Sequence, residues 1–337
     1  MLVLERLRVL HAVAAAGSVV GAARALHVTT SAVSQQIARL EREVGQPLVE
    51  RQGRGIRLTG AGAVLAGHAG DLLDHAERVS SALDALRGAV TGRLTVAAFA
   101  TAARGLLPGA LAALRAAYPS LVVTLAEHEP HEALPLLVRG RIDVAVVQDW
   151  TEEPLVVPAG LVRRDLLDDP FDVALPSAHP LARQPAVSLA ELADVDWIGW
   201  SSGQICHDWL VVVLRGLGVA PRLVHTASEH ATQVALVRAG LGGALIPRLG
   251  REPAPPGVRF VPILSRPSRR VFALWRAATA VRPSVVALVD GLQQAVGEPE
   301  AVPGGLDQPA GGHVGVDLAG VGPAVEGVGD DAGPRLG

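Results

Sequence analysis

Lysine is absent from this sequence of 337 residues; all thirty of its basic residues are arginine. That removes a P-loop lysine under nucleotide phosphates and a Schiff-base lysine in one stroke. Cysteine occurs once, at Cys206. An internal disulfide and cysteine-based zinc fingers are thereby excluded, which fits a reducing cytoplasm. Although 49% of the residues are hydrophobic, no run approaches the roughly 18 apolar residues that a membrane span requires. The opening MLVLERLRVLHAVAAAGS mimics a signal peptide, but Glu5 and His11 interrupt it. Leu4, Leu7, Leu10 and Val13 follow helical spacing instead, so this stretch reads as the first helix of a domain and the protein as cytoplasmic.

What is present is organised around Ser18 to Arg51. Val33, Ile37, Leu40 and Val44 form one stripe of a helix with 3.6 residues per turn. The opposite face holds Ser31, Ser34, Gln35, Ala38 and Arg42. Thr29 stands where an N-cap is needed, with Thr30 next to it. Ala22, Ala23, Leu26 and Val28 supply the buried side of a shorter preceding helix. Such a pair is either an ordinary helical hairpin or a helix-turn-helix whose second helix reads the DNA major groove. The following segment favours DNA: Gln46 to Arg51, a turn at Gln52-Gly53-Arg54-Gly55, and Ile56-Arg57-Leu58 read as a hairpin wing with arginines at its tip and flanks. Residues 1–60 carry eight Arg against four Glu, although the whole chain is at −3.

This stretch closely resembles the N-terminal domain of LysR-type transcriptional regulators. The matching residues are Gly17-Ser18, Ala22-Ala23, Leu26, Val28, Ala32-Val33-Ser34, Gln36-Ile37, Leu40-Glu41, Gly45, Pro47-Leu48, Arg51 and Leu58-Thr59 with Gly62. Val49 and Val19 replace aromatics of the family pattern, and Ser31 stands where a proline is common near the bases. The resemblance continues through Gly105-Leu106-Leu107-Pro108, Gly140-Arg141-Ile142-Asp143, His179-Pro180-Leu181 and Val237 to Gly242, covering about residues 1–297. It implies a winged helix-turn-helix, a long linker helix and a two-lobed α/β effector domain similar to periplasmic binding proteins. It further implies tetramers built from dimers, and allows RNA polymerase as a further partner.

Between these parts, Leu65, Leu72, Val79 and Leu86 alternate with Ala69, Ala76, Leu83 and Val90, the seam of a coiled coil over more than three heptads. A dimerising helix would place two recognition helices on a partly palindromic operator. From Arg93 the pattern is βαβαβ, then a second α/β set from Phe171 to Ile246, then a return through Val271–Trp275 and a helix after Pro283. The expected organisation is 1–58 for DNA, 59–91 for pairing and 92–297 for an effector. Within the last, one lobe spans 92–163 and 267–297 and the other 164–266. Residues 298–337, with eleven Gly, five Pro and seven acids against one Arg, read as a disordered acidic tail.

In open α/β sheets ligands bind beyond the C-terminal strand ends, near helix N-termini. That selects Thr101, His128, Gln148, Ser201, Ser202, Gln204 and Thr226 for an effector of unknown identity, small and polar or carboxylate-bearing; the resemblance puts Thr101, Gln148 and the Ser201–Gln204 turn on its walls. No arginine stands among these positions, which argues against a dianion. Ser31, Ser34 and Gln35 are expected to read bases, with Thr29 and Thr30 nearby and Arg39, Arg42, Arg51 and Arg54 on phosphates. No cofactor and no metal are expected. Two motifs compete with this reading. Gly199-Trp200-Ser201-Ser202-Gly203 fits the G-x-S-x-G nucleophile elbow of a hydrolase, but a downstream acid and histidine at suitable spacing are wanting. Glu127 to Glu132 is dense in metal-ligand types, yet Pro130 breaks helical pairing and a further ligand would have to come from elsewhere. A hydrolase using Ser201 and a solute-binding protein are the alternatives to a regulator.

Overall fold

The computed structural model describes residues 2–52, 55–151, 153–202, 205–216 and 218–296. Arg54, Gln204 and the expected tail 298–337 lie outside these described residues. The chain begins with α1 (Leu4–Ala16), α2 (Val19–Leu26) and α3 (Thr30–Val44), followed by a hairpin of β1 (Val49–Gln52) and β2 (Gly55–Leu58). The starts of α2 and α3 are each set by a side chain. Ser18 accepts from the Gly21 amide at 3.0 Å and Thr29 from the Ala32 amide at 3.1 Å, which satisfies first-turn donors. Leu7, Leu10, Val13, Ala22, Ala23, Val33, Ile37, Leu40 and Leu48 close the core of this unit. The Glu41 carboxylate accepts from the Leu48 and Val49 amides at 2.8 and 3.2 Å, tying α3 to the root of the wing. Thr59 caps α4 (Gly60–Arg87) and donates to the Pro47 carbonyl at 2.8 Å. At Gly62 a Cβ would run into the Leu48 carbonyl, so only glycine lets α4 leave the wing here.

The heptad seam of α4 is divided between two uses. Ala69 is fully buried and Leu65 half-buried against the helix-turn-helix core, so this end packs on its own domain. Beyond it Leu72, Val79, Leu83 and Leu86 are 44%, 49%, 54% and 84% exposed.

The remainder is built on a seven-stranded sheet, with a separate parallel pair of strands in the second lobe. β3 (Gly92–Ala98), β4 (Leu121–Glu127) and β5 (Val144–Trp150) are parallel, connected by α5 (Ala100–Gly105), α6 (Leu107–Ala117) and α7 (Pro130–Val138). Next comes β6 (Leu161–Pro176), then β7 (Asp196–Gly199), α8 (Ile205–Gly216), β8 (Arg222–Thr226), α9 (His230–Arg238) and β9 (Ala244–Pro247). The chain returns through β10 (Val258–Pro262) and β11 (Ser268–Arg276), and α10 (Pro283–Ala295) covers the first lobe. Ser188 and Glu191 form a capping box, on a 3-10 turn at Ala190–Leu192.

β6 belongs to both lobes. As far as Pro170 it ladders with β11, and from Phe171 onward with β9 and β10. Residues 164–170, placed by the sequence in the second lobe, therefore extend the first lobe's sheet. One strand can do this because its two halves pair with different strands, the first half with a bulge opposite Val271 and Phe272 and the second buried without a break from Phe171 to Leu175.

Candidate nucleic-acid interface and effector cleft

Thr29, Thr30, Ser31, Ser34, Gln35, Arg39, Arg42 and Arg51 all reach the surface. Ser34 Oγ donates to the Thr30 carbonyl at 2.9 Å and Arg42 Nε to the Ala38 carbonyl at 3.3 Å. Among the described residues Gln35 and Arg39 have no side-chain hydrogen bond or ion pair. On the wing, Glu50 and Arg57 are cross-strand partners joined at 2.5 Å, which takes Arg57 but not Arg51 into an internal pair.

At the junction of the lobes the structure brings together two of the expected residues through one that the sequence did not select. Thr101 and Gln148 are buried and both accept from Arg269, Thr101 at 2.5 Å. Arg269 is 1% exposed and donates twice more to Asp169, through Nε at 2.9 Å and Nη2 at 2.7 Å. Phe99 and Phe171 pack against the guanidinium, at 4.8 and 5.2 Å from ring centroid to Cζ. Arg269 and Asp169 face each other in the β6–β11 ladder. The next residue, Arg270, faces the other way and holds buried Asp149 at 2.8 Å. Successive side chains of a strand point to opposite faces, so adjacent arginines serve adjacent ion pairs on the two faces of the sheet. The expectation that no arginine lines the cleft is thus corrected. Arg269 was passed over because neighbouring arginines at a strand start resemble a solvated edge. The available signal was Asp168-Asp169 in one of the two segments that cross between the lobes and Arg269-Arg270 in the other.

The other expected residues are more peripheral. His128 follows β4, its amide bonded to the Ala98 carbonyl at 3.0 Å and its ring 3.5 Å from Glu132. Pro130 opens α7 rather than separating these two, so the dense Glu127–Glu132 segment is occupied in capping that helix. Ser201, Ser202 and Thr226 are exposed in the second lobe. His207 meets its neighbour Asp208 at 2.7 Å.

Three titratable groups near Arg269 are shifted. Burial pushes the Cys206 thiol up to about 12 in spite of Arg269 nearby. Burial, with Arg269 and Arg104, lowers the His230 imidazole to about 3. Its Nε2 is sealed from solvent with no hydrogen-bond partner among the described residues, and Trp200 stands edge-on at 5.5 Å. Burial also raises the Glu129 carboxyl, against Arg269 and His131. A cavity of about 220 Å³ opens beside this cluster, between Thr101 and Arg104 on α5 and His230, Val234 and Arg238 on α9. A second, of about 590 Å³, is lined by Trp150, Trp209, Leu264 and Arg266.

Comparison with known proteins agrees with this architecture. Residues 4–63 match the family model of the bacterial regulatory helix-turn-helix protein, lysR family, and residues 87–297 that of the LysR substrate binding domain. A probable hydrogen peroxide-inducible genes activator of Mycobacterium avium is 34% identical over 250 residues, 72% of this chain and 76% of that one. The probable HTH-type transcriptional regulator LrrA of Synechococcus elongatus is 31% identical over 306 residues, 88% of this chain and 99% of that one. Among solved structures, a Corynebacterium glutamicum OxyR variant with hydrogen peroxide bound is 30% identical, with a TM-score of 0.56 over 87% of this chain and 92% of that one. These relatives are regulators rather than hydrolases or solute-binding proteins. The chain belongs to the LysR family: it is a DNA-binding transcriptional regulator carrying a small-molecule effector domain, and not an enzyme.

Proposed function

We propose that α3 enters the major groove with Ser31, Ser34 and Gln35 against base edges, Thr29 and Thr30 at the groove mouth, and Arg39, Arg42, Arg51 and Arg54 on phosphates. The supporting observation is an exposed polar face on a helix whose other face is locked into the core. Ser34 donates inward to Thr30, which leaves its lone pairs for an adenine or cytosine amino group. Gln35, without a partner among the described residues, has both amide atoms available for adenine. Residues 1–58 then hold DNA, 59–91 pair with a second copy, and 92–297 carry the effector. The exposed stripe Leu72, Val79, Leu83 and Leu86 is the surface offered to that copy; tetramers follow from pairing such dimers.

The effector is held between the lobes by non-covalent contacts, with Thr101, His128, Gln148, Ser201, Ser202, Gln204 and Thr226 around it. Relatives named for hydrogen peroxide raise a thiol-based alternative, but the chemistry of this chain disfavours it. Cys206 is the single cysteine, buried, and at about 12 remains a protonated thiol, whereas oxidation proceeds through the thiolate. Ligand binding alters the angle between the lobes about β6 and β11. Arg276, which holds Glu77 of α4 at 2.7 Å and the Leu137 and Ile142 carbonyls at 2.9 and 3.0 Å, carries the change to the linker helix.

Fluorescence anisotropy with duplexes from the intergenic DNA upstream of the gene tests the reading. Ser34→Ala and Gln35→Ala should cost affinity for the specific duplex only, whereas Arg39→Gln should weaken all duplexes and flatten the salt dependence. Unchanged affinity in all three variants would remove α3 from the interface.

A further inference from the structure

The cavity of about 220 Å³ beneath α9 is not explained by the Arg269 cluster next to it. Its walls are of two kinds. Val234, Ala235, Ile246, Pro247, Leu249 and Phe260 form an apolar lining, while Arg104, Arg238 and Arg251 bring three guanidinium groups to the wall and Glu252 one carboxylate. Arg104 commits Nε to the Gly250 carbonyl at 2.8 Å, and Arg251 commits Nη1 to Asp172 at 2.6 Å while its plane lies over Phe260 at 4.4 Å. The remaining nitrogens of both forks stay available. Among the described residues Arg238 has no side-chain hydrogen bond or ion pair. His230, also on the wall, has a sealed Nε2 without a partner.

We propose that this cavity binds a small carboxylate with a compact, branched or cyclic apolar body, the carboxylate on Arg238 and Arg104 and the body against Val234, Ile246 and Phe260. The size is appropriate: a cavity of about 150 Å³ accepts benzene, so this one has room for a six-carbon body and a carboxylate. The location has a consequence. Arg104 belongs to α5 of the first lobe and Arg238 to α9 of the second, and Gly105 and Gly250 press together with no space for a Cβ. A carboxylate bridging the two arginines fastens the lobes at this seam. For that regulatory consequence the proposal rests on the effector reading above; for binding itself it stands alone.

Titration calorimetry of the full chain without DNA tests the site, using cyclohexanecarboxylate, its neutral carboxamide and inorganic sulfate as probes. Cyclohexanecarboxylate should bind with a dissociation constant below roughly 1 mM, and the carboxamide and sulfate at least about tenfold more weakly. Arg238→Gln, an exposed substitution that leaves folding intact, should weaken the carboxylate about tenfold. Val234→Trp should fill the space and abolish binding, and Arg266→Gln, on the other cavity, should change nothing. Absence of heat up to about 10 mM, sulfate binding as tightly as the carboxylate, or equal losses in Arg238→Gln and Arg266→Gln would each overturn the proposal. Since no DNA is present, such a failure leaves the regulator reading untouched, and failure of α3 variants to lose DNA leaves the cavity untouched.

Discussion

Removing Arg269 is the most informative single perturbation of the effector domain. Asp169 is 1% exposed and has three donors: Arg269 Nε at 2.9 Å, Arg269 Nη2 at 2.7 Å and the Leu249 amide at 2.8 Å. Arg269→Met fills the volume but leaves a buried carboxylate with one amide, and frees the hydrogen-bond acceptors of Thr101 and Gln148. Breaking a buried pair from one side costs about 3–5 kcal/mol, because the surviving charge is neither solvated nor compensated. For a unit of 150–250 residues each 1 kcal/mol corresponds to about 2–4 °C, so the midpoint should fall by roughly 6–20 °C. Asp169→Asn should cost a similar amount by stranding the guanidinium. The double variant, Arg269→Met with Asp169→Asn, removes both charges and should cost far less than the two singles together, a coupling of about 2–3 kcal/mol. Arg269→Lys should fall between, since one ammonium cannot serve Asp169, Gln148 and Thr101 from the positions of a planar fork. Thermal unfolding followed by tryptophan fluorescence reads all four, because Trp150 is the ladder partner of Arg269 and stacks on Trp209 at 3.8 Å. Single variants within about 1 kcal/mol of the parent, or a double variant whose cost equals the sum, would show that the pair does not hold the hinge.

Val79→Glu with Leu83→Glu places charges on the exposed stripe of α4 and should convert the oligomer to monomers in analytical ultracentrifugation; an unchanged sedimentation coefficient would assign pairing to another surface. Thr29→Ala removes the cap of α3 and should lower stability of the DNA-binding unit by about 1 kcal/mol in urea titration, with no effect expected on unfolding of the effector domain. The His230 imidazole is held near 3 in the folded chain, below its usual 6.5. The unfolded state therefore binds the extra proton first, so stability is full above the usual value and declines as pH falls from there toward 3. His230→Gln should flatten the decline in melting temperature between pH 6.5 and pH 4, since each tenfold difference in proton affinity between the folded and unfolded chain is worth about 1.4 kcal/mol; equal slopes would show that His230 does not set the acid limb.

What the sequence disclosed and what it withheld differ in the distance over which they are decided. The recognition unit was legible because its determinants are local. Thr29 caps the helix three residues later, Val33, Ile37 and Leu40 repeat at helical spacing, and both strands of the wing flank a short turn. The α4 seam was legible as periodicity but not as partition. A heptad pattern does not reveal that Ala69 is consumed by the chain's own core while Leu72, Val79, Leu83 and Leu86 remain exposed. The cleft was half legible for a stronger reason. Thr101 and Gln148 follow strand ends, which a topological rule identifies. Arg269 meets Asp169 across 100 residues, Gln148 across 121 and Thr101 across 168, and only the pairing order of β5, β11 and β6 unites them. The lobe boundary moved for the same cause: a strand that changes partners at Pro170 shows no change of composition there. Side chains that answer to a ladder partner can be read from opposite charges in the two crossing segments once the strands are known to pair. Walls that answer to a helix, a turn and a sheet edge together, like those around Arg104 and Arg238, emerge only when all three are in place.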